Sequence, residues 1–357
     1  MRVYLDHNAT TPLRPEARAA MMDAMDVVGN PSSVHAEGRA AKGLVERARA
    51  QVASLVGCSV NQVVFTSGAT EAAAFACHGK SLACADIEHD AVHAHQVDPL
   101  DVDNVGGVCS SEALGQILAV QAANSETGII QDLSGRGEIA HQKNAFLLVD
   151  AVQALGKIAF SARDENADYT LVSAHKLGGP KGIGALCLRQ GLELTAMIEG
   201  GGQEMGRRSG TENVIGIAGF GAAAEAAKLD VEGGAWDRVE KLRNILENAI
   251  EASEKETIFV GKGVPRLPNT SCMLTPGWKG ETQVMQMDLA GFAISAGSAC
   301  SSGKVKSSRV LQAMGYSPDD AACAIRVSLG LQTTEDEVLR FAETWHAARK
   351  KQKARAA

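Results

Sequence analysis

Cys300 lies in SAGSACSSGKVKSSRVL (295–311), among serine, glycine and alanine, with Lys304, Lys306 and Arg309 just downstream. A structural cysteine behaves as a small buried hydrophobe, whereas nearby cations favour the thiolate, which is a nucleophile. The stretch is therefore either an incidental surface thiol or a nucleophile carried on a loop of small residues. Lys176 poses a similar choice. It follows the apolar run YTLVSAH (169–175) and precedes a turn holding Gly178, Gly179 and Gly182. A lysine recessed at a strand end loses basicity and is a candidate Schiff-base former, while a solvated lysine is only a salt-bridge partner. The glycines imply close approach of backbone to something beside it.

Asp150 ends another apolar run, AFLLVD (145–150), and Gln153 follows three residues later. A recessed carboxylate needs a metal, an arginine or a protonated ring nitrogen. VVFTSGATE has the form of strand, glycine turn and helix start, where free N–H groups and the Thr70 hydroxyl can hold a phosphate; Ser67 and Thr70 can also be simple caps. GGGQEMGRRSGTEN (200–213) is either a phosphate-binding stretch or a flexible loop. His89, His93 and His95 lack the partners of a closed metal set, so no metal is expected. Asn8 and Asn30 fit turns or the edge of a substrate site.

These groups must be positioned by ordered elements. RPEARAAMMDAMDVVG carries alanine, methionine and valine at helical spacing, with Pro15 near its start and Gly29 at its stop, and VERARAQVASLVG predicts a second helix. VVFT (63–66), ILAVQAAN (117–124), AFLLVD and YTLVSAH fit strands buried on both faces, as in a parallel sheet. Alternating strands and helices make the chain α/β. A long helical pattern near 235–254 leads towards a smaller α+β region, and the basic tail AARKKQKARAA fits a solvated helix end.

Composition narrows the function classes. The 357 residues are 45% hydrophobic, enough for a large core, and the net charge of −7 argues against nucleic-acid partners. No apolar run reaches membrane-span length, and the polar N-terminus does not fit a signal peptide. Eight scattered cysteines without a C-x-x-C pair fit a reducing cytoplasm. Pyridoxal phosphate meets the demands of Lys176, Asp150 and the phosphate-binding turn together.

The motifs LDHNATTPLRPE, GNPSSVHAEGR, TSGATEA, IEHDAV, NSETG, DAVQALGK, SAHKLGGPKG, GGGQEMGRRSGTEN, RLPNT, SACSSG and IRVSLG stand in the order found in cysteine desulfurases, and from Tyr4 to about Glu337 the chain resembles that family. The resemblance implies a fold-type I, class V pyridoxal-phosphate enzyme: α/β, with a large domain (14–245) built on a mostly parallel mixed sheet and a smaller α+β domain (1–13 and 246–357). Lys176 would carry the cofactor, Asp150 would pair with its ring nitrogen, and His89 would stack on the ring. Gln153 and Asn124 would contact the ring hydroxyl side. Thr70, Ser173 and His175 would hold the phosphate, joined by Thr211 from the other subunit of a homodimer. Arg326 would clamp the carboxylate of L-cysteine, with Asn8 and Asn30 at the substrate edge, and Cys300 would take sulfur as a persulfide for an acceptor protein. Selenocysteine lyases and class V aminotransferases share the cofactor apparatus. The chain departs from the family at Ala73 and Ala74, where an asparagine pair is usual, at Ser125 in NSETG, and in a short span between His89 and Asn124.

Overall fold

The computed structural model describes residues 2–109, 115–297 and 307–356. The chain opens with strand β1 (Val3–Tyr4), helices α1 (Pro15–Met25) and α2 (Ala36–Val56), strand β2 (Val63–Thr66) and helix α3 (Ala69–Cys77). There follow β3 (Leu82–Ala85), α4 (Asp90–His93), β4 (Gln96–Leu100), β5 (Ile117–Gln121), α5 (Arg136–Gln142), β6 (Phe146–Asp150), β7 (Tyr169–Ser173) and β8 (Gly184–Leu188). Helices α6 (Val214–Glu232) and α7 (Ala235–Ser253) lead to β9 (Ile258–Phe259), β10 (Thr270–Leu274), α8 (Gly280–Leu289), β11 (Phe292–Ala293) and β12 (Ser295–Ala296). The chain closes with α9 (Arg309–Ala313), α10 (Pro318–Ala321), β13 (Ala324–Ser328) and α11 (Glu335–Ala356).

Seven strands form one sheet in the order β2-β8-β7-β6-β5-β3-β4. Strand β8 runs antiparallel to both neighbours, and the remaining pairs are parallel, so the sheet is mixed and mostly parallel as expected. Both faces are covered. Alternate residues of β6 serve opposite layers: Leu147 and Val149 pack with Val120, Val172 and Phe220, while Leu148 packs with Ile117, Leu171 and Leu186. That two-residue alternation inside a continuous apolar run is what a doubly covered parallel strand requires.

Helix α2 starts at Ala36, nine positions before the periodic segment VERARAQVASLVG, because His35 caps it through Gly38 N. It stops at Gly57, whose φ of 75° only glycine adopts cheaply. Helix α1 ends at Met25, short of Gly29. Helix α6, apolar on all sides and so without a clear helical period, packs on α1 and α2 through small residues; a Cβ at Gly221 would come within 2.5 Å of Ala48 Cα. Helix α7 crosses the expected boundary at residue 245. Its Val239, Leu242, Leu246 and Ile250 pack with Val3, Leu5, Phe292, Val327 and Trp345 in a second core built around a four-stranded sheet, β12-β13-β10-β9.

The loop after β8 is anchored to α2 by a buried ion pair. Arg49 Nη1 and Nη2 meet the Glu204 carboxylate at 2.6 and 2.9 Å, and Glu204 also accepts Phe65 N at 2.9 Å. Glu204 and its neighbour Met205 hold positive φ angles of 49° and 58°, a conformation that this anchorage imposes. Removing one partner of such a pair leaves an uncompensated buried charge. Arg49→Leu is therefore expected to destabilise the protein by about 3 to 5 kcal/mol, read as a lowered urea midpoint.

Candidate active site

The carboxyl ends of β6 and β7 lie side by side, with Asp150 paired to Leu171 in register. This places Asp150 at the end of one strand and Ser173, His175 and Lys176 at and just beyond the end of the next. The N-terminal segment straps this turn in place: Thr11 N donates to His175 O at 3.0 Å, Thr11 Oγ1 to Lys176 O at 3.1 Å, and Arg14 N to Gly178 O at 2.8 Å. Gly178 takes a φ of 83° directly under the Arg14 side chain, which leaves no room for a Cβ. Of the motif's glycines, Gly178 thus meets the N-terminal strap, while Gly179 packs against Ala174.

A cavity of about 540 Å³ opens at these strand ends. Its walls bring together Ser67, Thr70, His89, Asp150, Gln153, Ser173, His175 and Lys176, which sequence had marked, and add Gln121 and Lys181, which it had not. Helix α3 points its N-terminus at this cavity with Gly68 as cap, a residue without a side-chain acceptor for the first-turn N–H groups. Such an end attracts anions. A Cβ at Gly184 would meet Gly68 Cα at 2.7 Å, so the sheet and this turn approach as closely as glycine permits.

The electrostatics follow from burial. Burial pushes the Asp150 carboxyl above its ordinary range, opposed by His89, by Val152 N–H (3.0 Å) and by Lys176. A recessed carboxylate facing two basic groups suits a cationic ligand atom. His175 is lowered to about 4 by burial and then by Lys176, so it is a neutral imidazole, with Nδ1 at 3.1 Å from Thr10 Oγ1. His89 accepts Ala91 N on Nδ1 at 3.1 Å, which puts the proton of the neutral ring on Nε2. Lys176 Nζ donates to Asn8 O and to Ala9 O, the latter at 2.9 Å.

Other expected residues stand outside the cavity lining. Asn124 is buried behind it; its Oδ1 accepts Glu126 N (2.9 Å) and Thr127 N (2.8 Å), and its Nδ2 donates to Ile87 O. Asn8 spends its side chain on Ser125 O, Thr270 and Asn269. Asn30 is exposed and turns back on Ser32 N at 2.9 Å. Thr211 is exposed on the loop before α6. Arg326, on β13, donates to Ser125 O at 3.0 Å and to Asp6 at 2.8 Å, while its buried Nε has no partner among the described residues. Cys300 lies outside the described residues. Among the histidines, His93 faces Asp86 at 3.0 Å.

Lys157 supports this site from behind. It is buried, and its amine donates to Gln153 O at 3.0 Å and Oε1 at 2.8 Å, fixing the amide so that Gln153 Nε2 reaches Asn8 O. Its signal in sequence is the four-residue spacing from Gln153. Burial, then Lys176 and Arg326, lower it to about 7. The folded state therefore binds fewer protons than the unfolded chain above about pH 7, and the penalty of burying this amine fades as pH rises towards the ordinary lysine value. Wild-type stability should rise relative to Lys157→Met between pH 7 and about 10, measured as the difference in urea midpoints. A constant difference across that range would refute the assignment.

The aminotransferase class-V family model matches residues 3–341. A cysteine desulfurase of Cereibacter sphaeroides is 39% identical, over 96% of this chain and 94% of its own length. The cysteine desulfurase IscS of Dictyoglomus turgidum is 35% identical over 94% of this chain and 91% of its own. The crystal structure of a NifS-like protein from Rickettsia africae superposes with a TM-score of 0.90 at 30% identity, covering 98% of this chain and all of that one. With a family match from the first strand into the last helix, and relatives alike along nearly their whole lengths, this chain belongs to the class-V aminotransferase family, among its cysteine desulfurases.

Proposed function

We propose that the chain is a pyridoxal-phosphate-dependent cysteine desulfurase that converts L-cysteine to L-alanine and keeps the sulfur as a persulfide on Cys300. The carrying observation is the meeting of Lys176 and Asp150 at adjacent strand ends, in one cavity with an uncapped helix N-terminus. This donor set fits the cofactor: an amine for its aldehyde, a carboxylate for its ring nitrogen, and N–H groups with Thr70, Ser173 and His175 for its phosphate. When bound, pyridoxal phosphate supplies an electron sink for the bonds around the substrate Cα.

The protein's own groups do the rest. Asp150 holds the proton on the ring nitrogen. Lys176 would hold the cofactor, and its amine would serve as the base that accepts the substrate Cα proton. His89, with a proton on Nε2, passes protons between substrate and solvent. Arg326 binds the substrate carboxylate. The Cys300 thiolate attacks the substrate sulfur; the C–S bond breaks, an S–S bond forms, and Cβ takes up a proton to complete alanine. The persulfide passes to an acceptor protein of iron–sulfur or related cofactor assembly. Thr211, exposed and away from its own cavity, serves the cavity of a second copy, which makes the working unit a homodimer. Among the described residues no helix is long and apolar enough to cross a membrane and no cysteine is in a disulfide, and the cytoplasm is the proposed compartment.

Lys176→Ala is expected to lose the visible absorption of lysine-bound cofactor together with alanine production, because Lys176 is the amine at the strand end beside Asp150, where the cofactor aldehyde would lie. Asp150→Ala should slow turnover by about a hundredfold or more, and a near-wild-type rate would sink the pairing.

Cys300→Ser replaces a soft thiolate with a hydroxyl that stays protonated near neutral pH. Alanine release from L-cysteine should collapse, while release from selenocysteine, whose selenium leaves more readily, should persist. Mass spectrometry of wild type after turnover should find added sulfur on Cys300. Wild-type alanine release by the serine variant would remove Cys300 from the mechanism, and turnover of selenocysteine alone by wild type would make the protein a lyase.

A further inference from the structure

A second group of nucleophilic side chains lies away from this cavity. Cys58 follows the C-cap of α2, and Cys187 sits on β8. Val63 pairs with Cys187 across β2 and β8, and Gln62 Nε2 donates to Leu188 O at 2.6 Å, so the turn carrying Cys58 is tied to the strand carrying Cys187. Both cysteines line a cavity of about 250 Å³ together with Arg163, Arg189 and Thr170. The two thiols lie near enough for each to shift the other's titration. Cys187 is 2% exposed, whereas Cys58 is partly exposed.

The pair is electrically unequal. The neighbouring Cys187 thiol holds the Cys58 thiol below its ordinary value against the opposing effect of burial, and Arg163 adds to the lowering. The same proximity, with burial, pushes Cys187 well above it. The partly exposed thiol at the mouth is thus the more acidic of the two, and the buried one in the wall the less. Cys77, by contrast, is raised to about 11 by burial. Thr170, 1% exposed, also lines the cavity, and its Oγ1 has no hydrogen-bond partner among the described residues.

We propose that Cys58 and Cys187 form a peroxide-reactive dithiol site that closes to a disulfide. The Cys58 thiolate attacks the O–O bond of hydrogen peroxide, and with uptake of one proton this yields a sulfenic acid and one water. The unpartnered Thr170 hydroxyl is a hydrogen-bond donor for the new sulfur-bound oxygen. Cys187 then attacks the Cys58 sulfur. The S–O bond breaks, the oxygen leaves as a second water with the Cys187 proton, and the S–S bond forms. Two thiols are oxidised by two electrons and one peroxide is reduced to two waters.

The test treats cofactor-loaded wild type, Cys58→Ser and Cys187→Ser with an equivalent of hydrogen peroxide, blocks the remaining thiols with iodoacetamide and maps peptides without reductant. Wild type should give a Cys58–Cys187 linked peptide, two hydrogens lighter than its parts and released by dithiothreitol. Before oxidation, Cys58 should alkylate at least about tenfold faster than Cys77. Cys187→Ser should stop at a Cys58 sulfenic acid that dimedone traps, and Cys58→Ser should leave Cys187 reduced. Should either variant fail to fold, the wild-type map decides alone. Oxidation of wild-type Cys58 to sulfinic acid with no link to Cys187, a link to another cysteine, or no reaction at Cys58 overturns the proposal.

Discussion

One buried residue joins the two cores at the reactive lysine. The carbonyl of Asn8 accepts both Lys176 Nζ and Gln153 Nε2, while its side chain is held by Ser125 O, Thr270 and Asn269 and its N–H by Ser328. Asn269, Thr270 and Ser328 belong to the small four-stranded sheet or its edge, whereas Lys176 and Gln153 hang from the large one. A buried amide with every polar atom satisfied is rigid, since shifting it exposes several donors and acceptors at once. The position of the Lys176 amine therefore depends on how the two sheets are docked, and Lys157 extends the same network through Gln153.

The surroundings of the site hold ionisable groups whose burial works against their charge. Glu88 is pushed up to about 8 by burial, with Asp150 adding to it, and its Oε1 accepts Gln121 N at 2.7 Å. Glu126 is pushed up to about 7 by burial, against a hydrogen bond from Ser308. With Lys157 drawn down to about 7, two carboxyls and one amine near the site change charge close to neutrality. Stacking three such groups around a ligand cavity costs stability, which is the usual signature of a place shaped by chemistry rather than by folding alone. The neutral His175 belongs to the same pattern: it contributes hydrogen bonds without adding another positive charge beside Lys176 and Lys181.

The dithiol at Cys58 and Cys187 has a different origin. It sits where the end of α2 meets the antiparallel strand β8, so its two members come from segments far apart in the chain. Antiparallel insertion of β8 between β2 and β7 creates that contact, and the same strand follows the glycine turn of Lys176.

Much of the fold and chemistry was legible in the sequence. Apolar runs ending in Asp150 and Ser173 marked strands whose tips carry function, because a doubly covered parallel strand must be apolar until it leaves the sheet. The glycine turns marked the phosphate-binding and lysine loops for the same reason of close approach, and the ordered motifs specified the family. Helix α6 escaped because its apolar residues are spread round the helix and leave no periodic face, and the start of α2 escaped because a histidine cap is a weak signal. Tertiary structure alone decided that Asn8 and Asn124 spend their side chains on neighbours, that Lys157 props Gln153, and that Arg326 meets Asp6. It also decided that Cys58 and Cys187 line one cavity. Sequence determines what each residue can do and the local element it occupies. Which groups share a cavity, and what burial does to their charges, depends on contacts between distant segments, and no local pattern encodes those.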